Sequence, residues 1–171
     1  PWSEVVKSHL WTYDLNTFDL VEIAAIDNTF EYMPCCLLYD DENRMVVNPV
    51  IDGEQRVVTM NLDGSDQENI TTEGQGYTYG VVISTDQKRL AFHASGRDGY
   101  AVFSTDISGG DRRCVAGEKG HLYFGPSWSL DSEWLLYLDC TPHNDPGHDW
   151  ADICIGRPDG SEHRVVTDNM R

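Results

Sequence analysis

Positive charge is scarce in this chain of 171 residues: 12 Lys and Arg stand against 29 Asp and Glu, a net charge of −17. Sequence-independent binding to nucleic acid or to an anionic membrane needs clustered cations. Here basic residues adjoin only at Lys88-Arg89 and Arg112-Arg113, so neither partner is expected. No apolar run approaches the ~18 residues of a membrane span, and Pro1-Trp2-Ser3-Glu4 does not open a signal peptide. The five cysteines, Cys35, Cys36, Cys114, Cys140 and Cys154, include no CxxC pair, which argues against a zinc ribbon or finger. They read as reduced, partly buried thiols. A GxSxG elbow, a P-loop and a GxGxxG turn after a strand are absent, so the common hydrolase and nucleotide signatures are missing. Sustained helical periodicity is absent too. What remains is 40 % hydrophobic and 11 % aromatic, too apolar for a disordered acidic tail.

The chain repeats itself. At a shift of 45, Cys35-Cys36-Leu37-Leu38-Tyr39-Asp40-Asp41 falls over Gly80-Val81-Val82-Ile83-Ser84-Thr85-Asp86, and then over Gly125-Pro126-Ser127-Trp128-Ser129-Leu130-Asp131. A second strand keeps step (Arg44–Val47, Arg89–Phe92, Trp134–Tyr137), as does a third ending in Asp63-Gly64 and Ser108-Gly109. Its third copy, ending in Asp159-Gly160, comes 51 residues later, so that unit carries six extra residues. A short fourth strand closes each unit at 68–71, 113–116 and 164–167. Four short strands with turn residues between them, every 45 residues, describe an antiparallel β-propeller blade. The expected fold is therefore all-β, with blades at 29–73, 74–118 and 119–168, the last holding an insertion at 141–150. Residues 11–26 read as the outer strands of an incomplete blade. About three and a half blades form an open arc, and closed propellers need at least four. The expectation is part of a six- to eight-bladed ring, or self-association through open blade ends, with Trp128, Trp134, Leu136 and Tyr137 among the face residues.

The block Pro126-Ser127-Trp128-Ser129-Leu130-Asp131-Ser132-Glu133-Trp134-Leu135-Leu136-Tyr137 resembles the P-x-W-S-P-D-G core of TolB-type, WD40-like propeller repeats. The tail Met60-Asn61-Leu62-Asp63-Gly64-Ser65-Asp66, followed by Ile70-Thr71, is similar to the same repeat. Thr85, Gln87, Leu130 and Ser132 stand where that pattern has Pro and Gly, which implies looser first turns. His121-Leu122-Tyr123-Phe124 resembles the inner-strand histidine segments of oligogalacturonate-lyase-like propellers. The resemblance implies a scaffold that binds a protein or an oligosaccharide on its channel face, in the bacterial periplasm or cytoplasm. The alternative that it implies is a lyase, with His121 as ligand or base, His143 and His148 as metal ligands and Arg97 clamping a substrate carboxylate. The charge of −17 weighs against a polyanionic substrate.

Propeller topology puts the fourth-to-first and second-to-third loops on one face. That face collects His93, with Arg97 and Asp98 just beyond it, His121 and the insertion; His163 falls on the opposite side. His121, at the start of an innermost strand, is expected at the channel mouth, where Tyr32, Tyr77, Tyr79 and Tyr123 add aromatic surface. His93 and Arg97 could supply a cation, or form a surface ion pair. No cofactor is required by the sequence. Within Thr141–Trp150, His143, Asp145, His148 and Asp149 suit a divalent ion (Mn, Zn or Ca), and Trp150 suits ligand contact. Equally, the loop reads as a polar connection ordered by Asx turns and prolines, and the tyrosines as packing between blades.

Overall fold

A computed structural model describes residues 6–28, 36–39, 44–51, 53–71, 76–96, 99–141 and 151–167. Every regular element among them is a strand. A ribbon, β1 (Val6–Tyr13) paired with β2 (Leu20–Asn28), comes first. The first four-stranded sheet is β3 (Cys36–Tyr39), β4 (Arg44–Val47), β7 (Val58–Asn61) and β8 (Glu68–Asn69), in that spatial order. A small hairpin, β5 (Val50–Ile51) with β6 (Glu54–Gln55), stands between its second and third strands. The second sheet is β9 (Thr78–Ile83), β10 (Arg89–Gly96), β11 (Gly99–Asp106) and β12 (Arg113–Ala116). The third is β13 (Tyr123–Trp128), β14 (Leu135–Asp139), β15 (Asp152–Gly156) and β16 (His163–Val165). All pairs are antiparallel meanders, as propeller blades require.

The blades pack face to face because each strand alternates. Along β14, Leu135, Tyr137 and Asp139 are buried while Leu136 and Leu138 are exposed. Between the first two sheets, Val46, Val57 and Ile70 meet Val81, Leu90 and Phe92. Between the second and third, Ala91, Val102 and Val115 meet Tyr123, Leu135 and Tyr137. Burying each such side chain stabilises by about 1.5–3 kcal/mol. Of the face residues expected from the sequence, Tyr137 and Trp128 lie on the side of the third blade covered by the second. Facing a neighbouring sheet buries them, and the strand's alternation turns Leu136 and Leu138 outward instead.

The first turns are tight, not loose. In the second blade Ser84 Oγ reaches Asp86 Oδ1 at 2.6 Å and accepts from Arg89 N–H at 2.9 Å, while Asp86 Oδ1 accepts from Lys88 N–H. Ser129, Asp131, Glu133 and Trp134 repeat this set in the third blade. The two turns are also stitched together: Thr85 Oγ1 donates to the Ser129 carbonyl, Asp86 N–H to Ser132 Oγ, and the Trp128 indole to the Val82 carbonyl at 3.3 Å. A second repeated device was not foreseen. Arg44 bonds Thr59 and Asp66, and Arg89 bonds Ser104 and Asp111, each partner shifted by 45. In the third blade Trp134 replaces the arginine, and Arg157 stacks 3.8 Å above its ring.

Candidate functional site

On the face predicted to hold the site, the third strand of the second blade meets the chain entering the first strand of the third blade. Tyr100 forms a parallel bridge with Leu122, and its N–H donates to the His121 carbonyl at 3.3 Å. Gly99, with φ +139°, makes this approach feasible, because a Cβ there would lie 2.3 Å from that carbonyl oxygen.

His121 sits just before β13, and Asp139 ends β14. Because Tyr123 pairs with Asp139, the carboxylate comes beside the imidazole, with Asp139 Oδ2 2.7 Å from His121 Nδ1. Asp139 is 9 % exposed. Its other oxygen accepts the Thr141 backbone N–H at 3.0 Å and the Thr141 hydroxyl. Thr141 Oγ1 in turn accepts from Leu122 N–H at 2.9 Å. Burial pushes the Asp139 carboxyl up, but the hydrogen bonds from Thr141 and His121 outweigh it and hold the group below the usual carboxylate range. An ionised Asp139 can only accept, so Nδ1 carries a proton directed at it. Nε2 lies 3.5 Å from Oε2 of the exposed Glu118. The ring stacks on Tyr123 at 5.4 Å between centroids, nearly parallel. An imidazole oriented in this way can accept a hydrogen bond or a proton, or donate its electron pair to a metal.

His93 differs from expectation. It lies within β10, paired with Tyr79 and Val102, rather than at the strand's end. Its ring stacks on Tyr79, tilts against Tyr100 and meets the edge of Phe124. Its Nδ1 accepts from Gly125 N–H at 3.4 Å. Burial lowers its pKa to about 4, so near neutral pH it is an uncharged aromatic and supplies no cation. The reason is the crowding of three rings around it, those of Tyr79, Tyr100 and Phe124, which disfavours hydration of a charged form.

Tyr77 is 41 % exposed and its ring lies parallel to that of Tyr79. Tyr123 is 1 % exposed and belongs to the core beneath His121; its ring also meets Tyr137 and His163 in T-shaped contacts. His163, set aside on sequence grounds, shares a hydrogen bond of 2.5 Å between its Nδ1 and the Tyr137 hydroxyl. Tyr32, Arg97, His143, Asp145, His148, Asp149 and Trp150 lie outside the described residues. Among the described residues, no three His, Cys, Asp or Glu side chains gather to hold a metal; His121 and Glu118 offer two donors. Residues missed by the sequence reading are Asp139, Thr141, Tyr100 and Phe124. The Asp139 signal was available, since strand pairing across the first turn places 123 opposite 139.

No family model matches the chain, and no curated protein matches it. Solved structures do. The TolB-type protein of Agrobacterium tumefaciens aligns with TM-score 0.70 and 18 % identity over 94 % of this chain and 55 % of its own. TolB of Acinetobacter baumannii aligns with TM-score 0.67 and 15 % identity over 92 % of this chain and 37 % of its own. Oligogalacturonate lyase of Vibrio parahaemolyticus aligns with TM-score 0.61 and 14 % identity over 96 % of this chain and 48 % of its own. The chain thus spans about half the length of these structures or less, and its fold is that of an arc of a TolB-like β-propeller.

Proposed function

We propose that this arc is a binding scaffold whose ligand, a protein segment or an oligosaccharide, seats where the second and third blades meet. The observation that carries the reading is the Asp139–His121 pair: a buried carboxylate fixes the imidazole through Nδ1 and turns Nε2 toward the exposed Glu118 at the rim. The stacked Tyr77 and Tyr79 extend the same rim through His93 and Tyr100. Aromatic faces beside a few fixed polar atoms suit sugar rings and peptide side chains alike. The test is NMR titration with neutral and uronic oligosaccharides and with a peptide library. Saturable shifts at Tyr77 and His121, weakened at least roughly tenfold by His121→Ala or Tyr77→Ala, support the reading. Shifts confined to other surfaces, or none, end it.

A second reading is favoured by the same pair and by the likeness in fold to a lyase. An imidazole oriented through Nδ1 by a carboxylate is equipped to take a proton at Nε2, here one adjacent to a uronate carboxylate. Absorbance of an unsaturated product from oligogalacturonides, with and without added Mn, decides it. Turnover lost in His121→Ala supports the base role; no absorbance from the wild type removes it.

A further inference from the structure

Arg44, Arg56 and Arg89 all lie mostly out of water, yet they are held very differently. The side chains of the struts Arg44 and Arg89 are 15 % and 25 % exposed. Each is fixed by at least three hydrogen bonds from its terminal nitrogens. Arg56 is more enclosed, at 9 %. Among the described residues its guanidinium has one partner, Glu54, whose Oε2 lies 3.5 Å from Nη2. Its Nε is buried and unpaired. The Nε of Arg89 is unpaired too, but there the rest of the fork is bonded. A guanidinium carries five N–H donors and stays charged. Taken out of water it is costly unless acceptors replace its hydration. Arg56 is therefore short of an acceptor.

The backbone that presents it is fixed. Arg56 N–H donates to the Pro49 carbonyl, and the Arg56 carbonyl accepts from Asn48 Nδ2, both at 2.9 Å. The Gln55 carbonyl accepts from Thr78 Oγ1 at 2.8 Å, which ties the β5–β6 hairpin to the start of β9. Arg56 and the exposed Tyr77 thus flank one hydrogen bond. The hairpin is the second-to-third connection of the first blade, on the face that holds the rim. In and beside the connections of the three full blades there, the described acids are Glu54, Glu118, Asp139 and Asp152. Lys119 is the only other described Lys or Arg. A ligand with repeated carboxylates would meet these acids, whereas a single carboxylate seated on Arg56 need not.

We infer that Arg56 anchors a single carboxylate, that of an acidic side chain in a bound peptide, through the terminal nitrogens of its guanidinium. The inference rests on the scaffold reading and names its ligand: a peptide with one acidic residue.

The experiment is an NMR titration of the whole chain, nitrogen-15 labelled, at millimolar concentrations of three probes. They are a capped pentapeptide with one central glutamate, the same peptide with glutamine, and trigalacturonate. Arg56→Met assigns the Arg56 Nε–H signal by its loss. The glutamate peptide should shift that signal saturably and bind at least roughly tenfold more tightly than the glutamine peptide. In Arg56→Met the two peptides should bind equally, while circular dichroism stays that of the wild type. If that variant unfolds, Arg56→Lys, which keeps the charge without the planar fork, should shrink the preference by roughly threefold or more. An unmoved Arg56 signal, with Tyr77 and His121 responding, overturns the anchor and leaves the scaffold reading standing. An Arg56 response with Tyr77 and His121 silent supports the anchor and ends the rim reading. Equal affinities for the two peptides, a preference that survives Arg56→Met, tighter binding of trigalacturonate, or no binding of any probe overturns the proposal.

Discussion

Gln87 and Ser132 stand at the same place in two turns 45 residues apart, with φ of 58° and 61°. Glycine holds that place in the repeat pattern the sequence resembles. A side chain in the left-handed region costs about 1–2 kcal/mol relative to the right-handed one, and glycine avoids most of it at an entropic cost of its own. The turns tolerate the strain because each closes five hydrogen bonds around it.

Gln87→Gly should therefore raise the stability of the arc by about 0.5–1 kcal/mol in urea unfolding. Ser132→Gly relieves the same strain but removes the hydroxyl that accepts from Asp86 N–H across the blade joint. Its net effect should be near zero or destabilising. Equal gains at both positions would mean that the joint bond contributes nothing.

The pH response of His93 follows from its burial. Its folded pKa is about 4, against 6.5 for a free imidazole, so the unfolded chain binds the extra proton first. Stability is whole above pH 6.5 and is lost as pH falls toward 4, by something on the order of 3 kcal/mol. Replacing His93 by Phe should flatten the stability profile between these limits. An unchanged slope in that variant would show that other groups set the acid response.

For Asp139 the sign is also fixed by its partners. Its folded pKa lies below the usual range, so its contribution is present above the unfolded carboxyl value and is lost as pH falls through the lowered one. Asp139→Ala leaves the Thr141 and His121 donors without their acceptor and should cost about 2 kcal/mol. Nitrogen-15 shifts of the His121 ring should report a proton on Nδ1 in the wild type, and mixed tautomers in the variant. Mixed tautomers in the wild type would refute the assigned orientation.

The blade pattern was legible because each strand and turn recurs at one spacing, and turn chemistry at Ser84-Thr85-Asp86 and Ser129-Leu130-Asp131 repeats with it. The environment of His93 was not, because it is made by Phe124 and Gly125 from the next sheet, and sheet-on-sheet contacts leave no periodic trace. The arginine struts were readable in principle: Arg44, Thr59 and Asp66 become Arg89, Ser104 and Asp111 at the same shift of 45. They escaped notice because charged residues on a strand are ordinarily read as solvent-facing. Which of the face residues share a side follows from strand alternation: Leu136 and Tyr137 are adjacent, and adjacent residues of a strand point to opposite faces.

Two glycines separate backbone strain from blade packing. Gly53 and Gly160 have nearly the same φ, +80° and +76°, so an alanine meets the same conformational penalty at either site, about 1 kcal/mol. A Cβ at Gly53 has nothing within 4 Å, whereas at Gly160 it would lie 2.4 Å from the carbonyl oxygen of Cys114 in the preceding blade. Backbone on both sides leaves little room to yield, since Ser104 Oγ also ties the adjoining Pro158 carbonyl to that blade at 2.7 Å. Gly53→Ala should cost about 1 kcal/mol and Gly160→Ala roughly 2–4 kcal/mol, measured by urea unfolding with tryptophan fluorescence. The difference is a measure of how rigidly the second and third blades are joined. Equal costs would mean that the joint opens to admit a methyl group, and that the rim built across it is correspondingly soft.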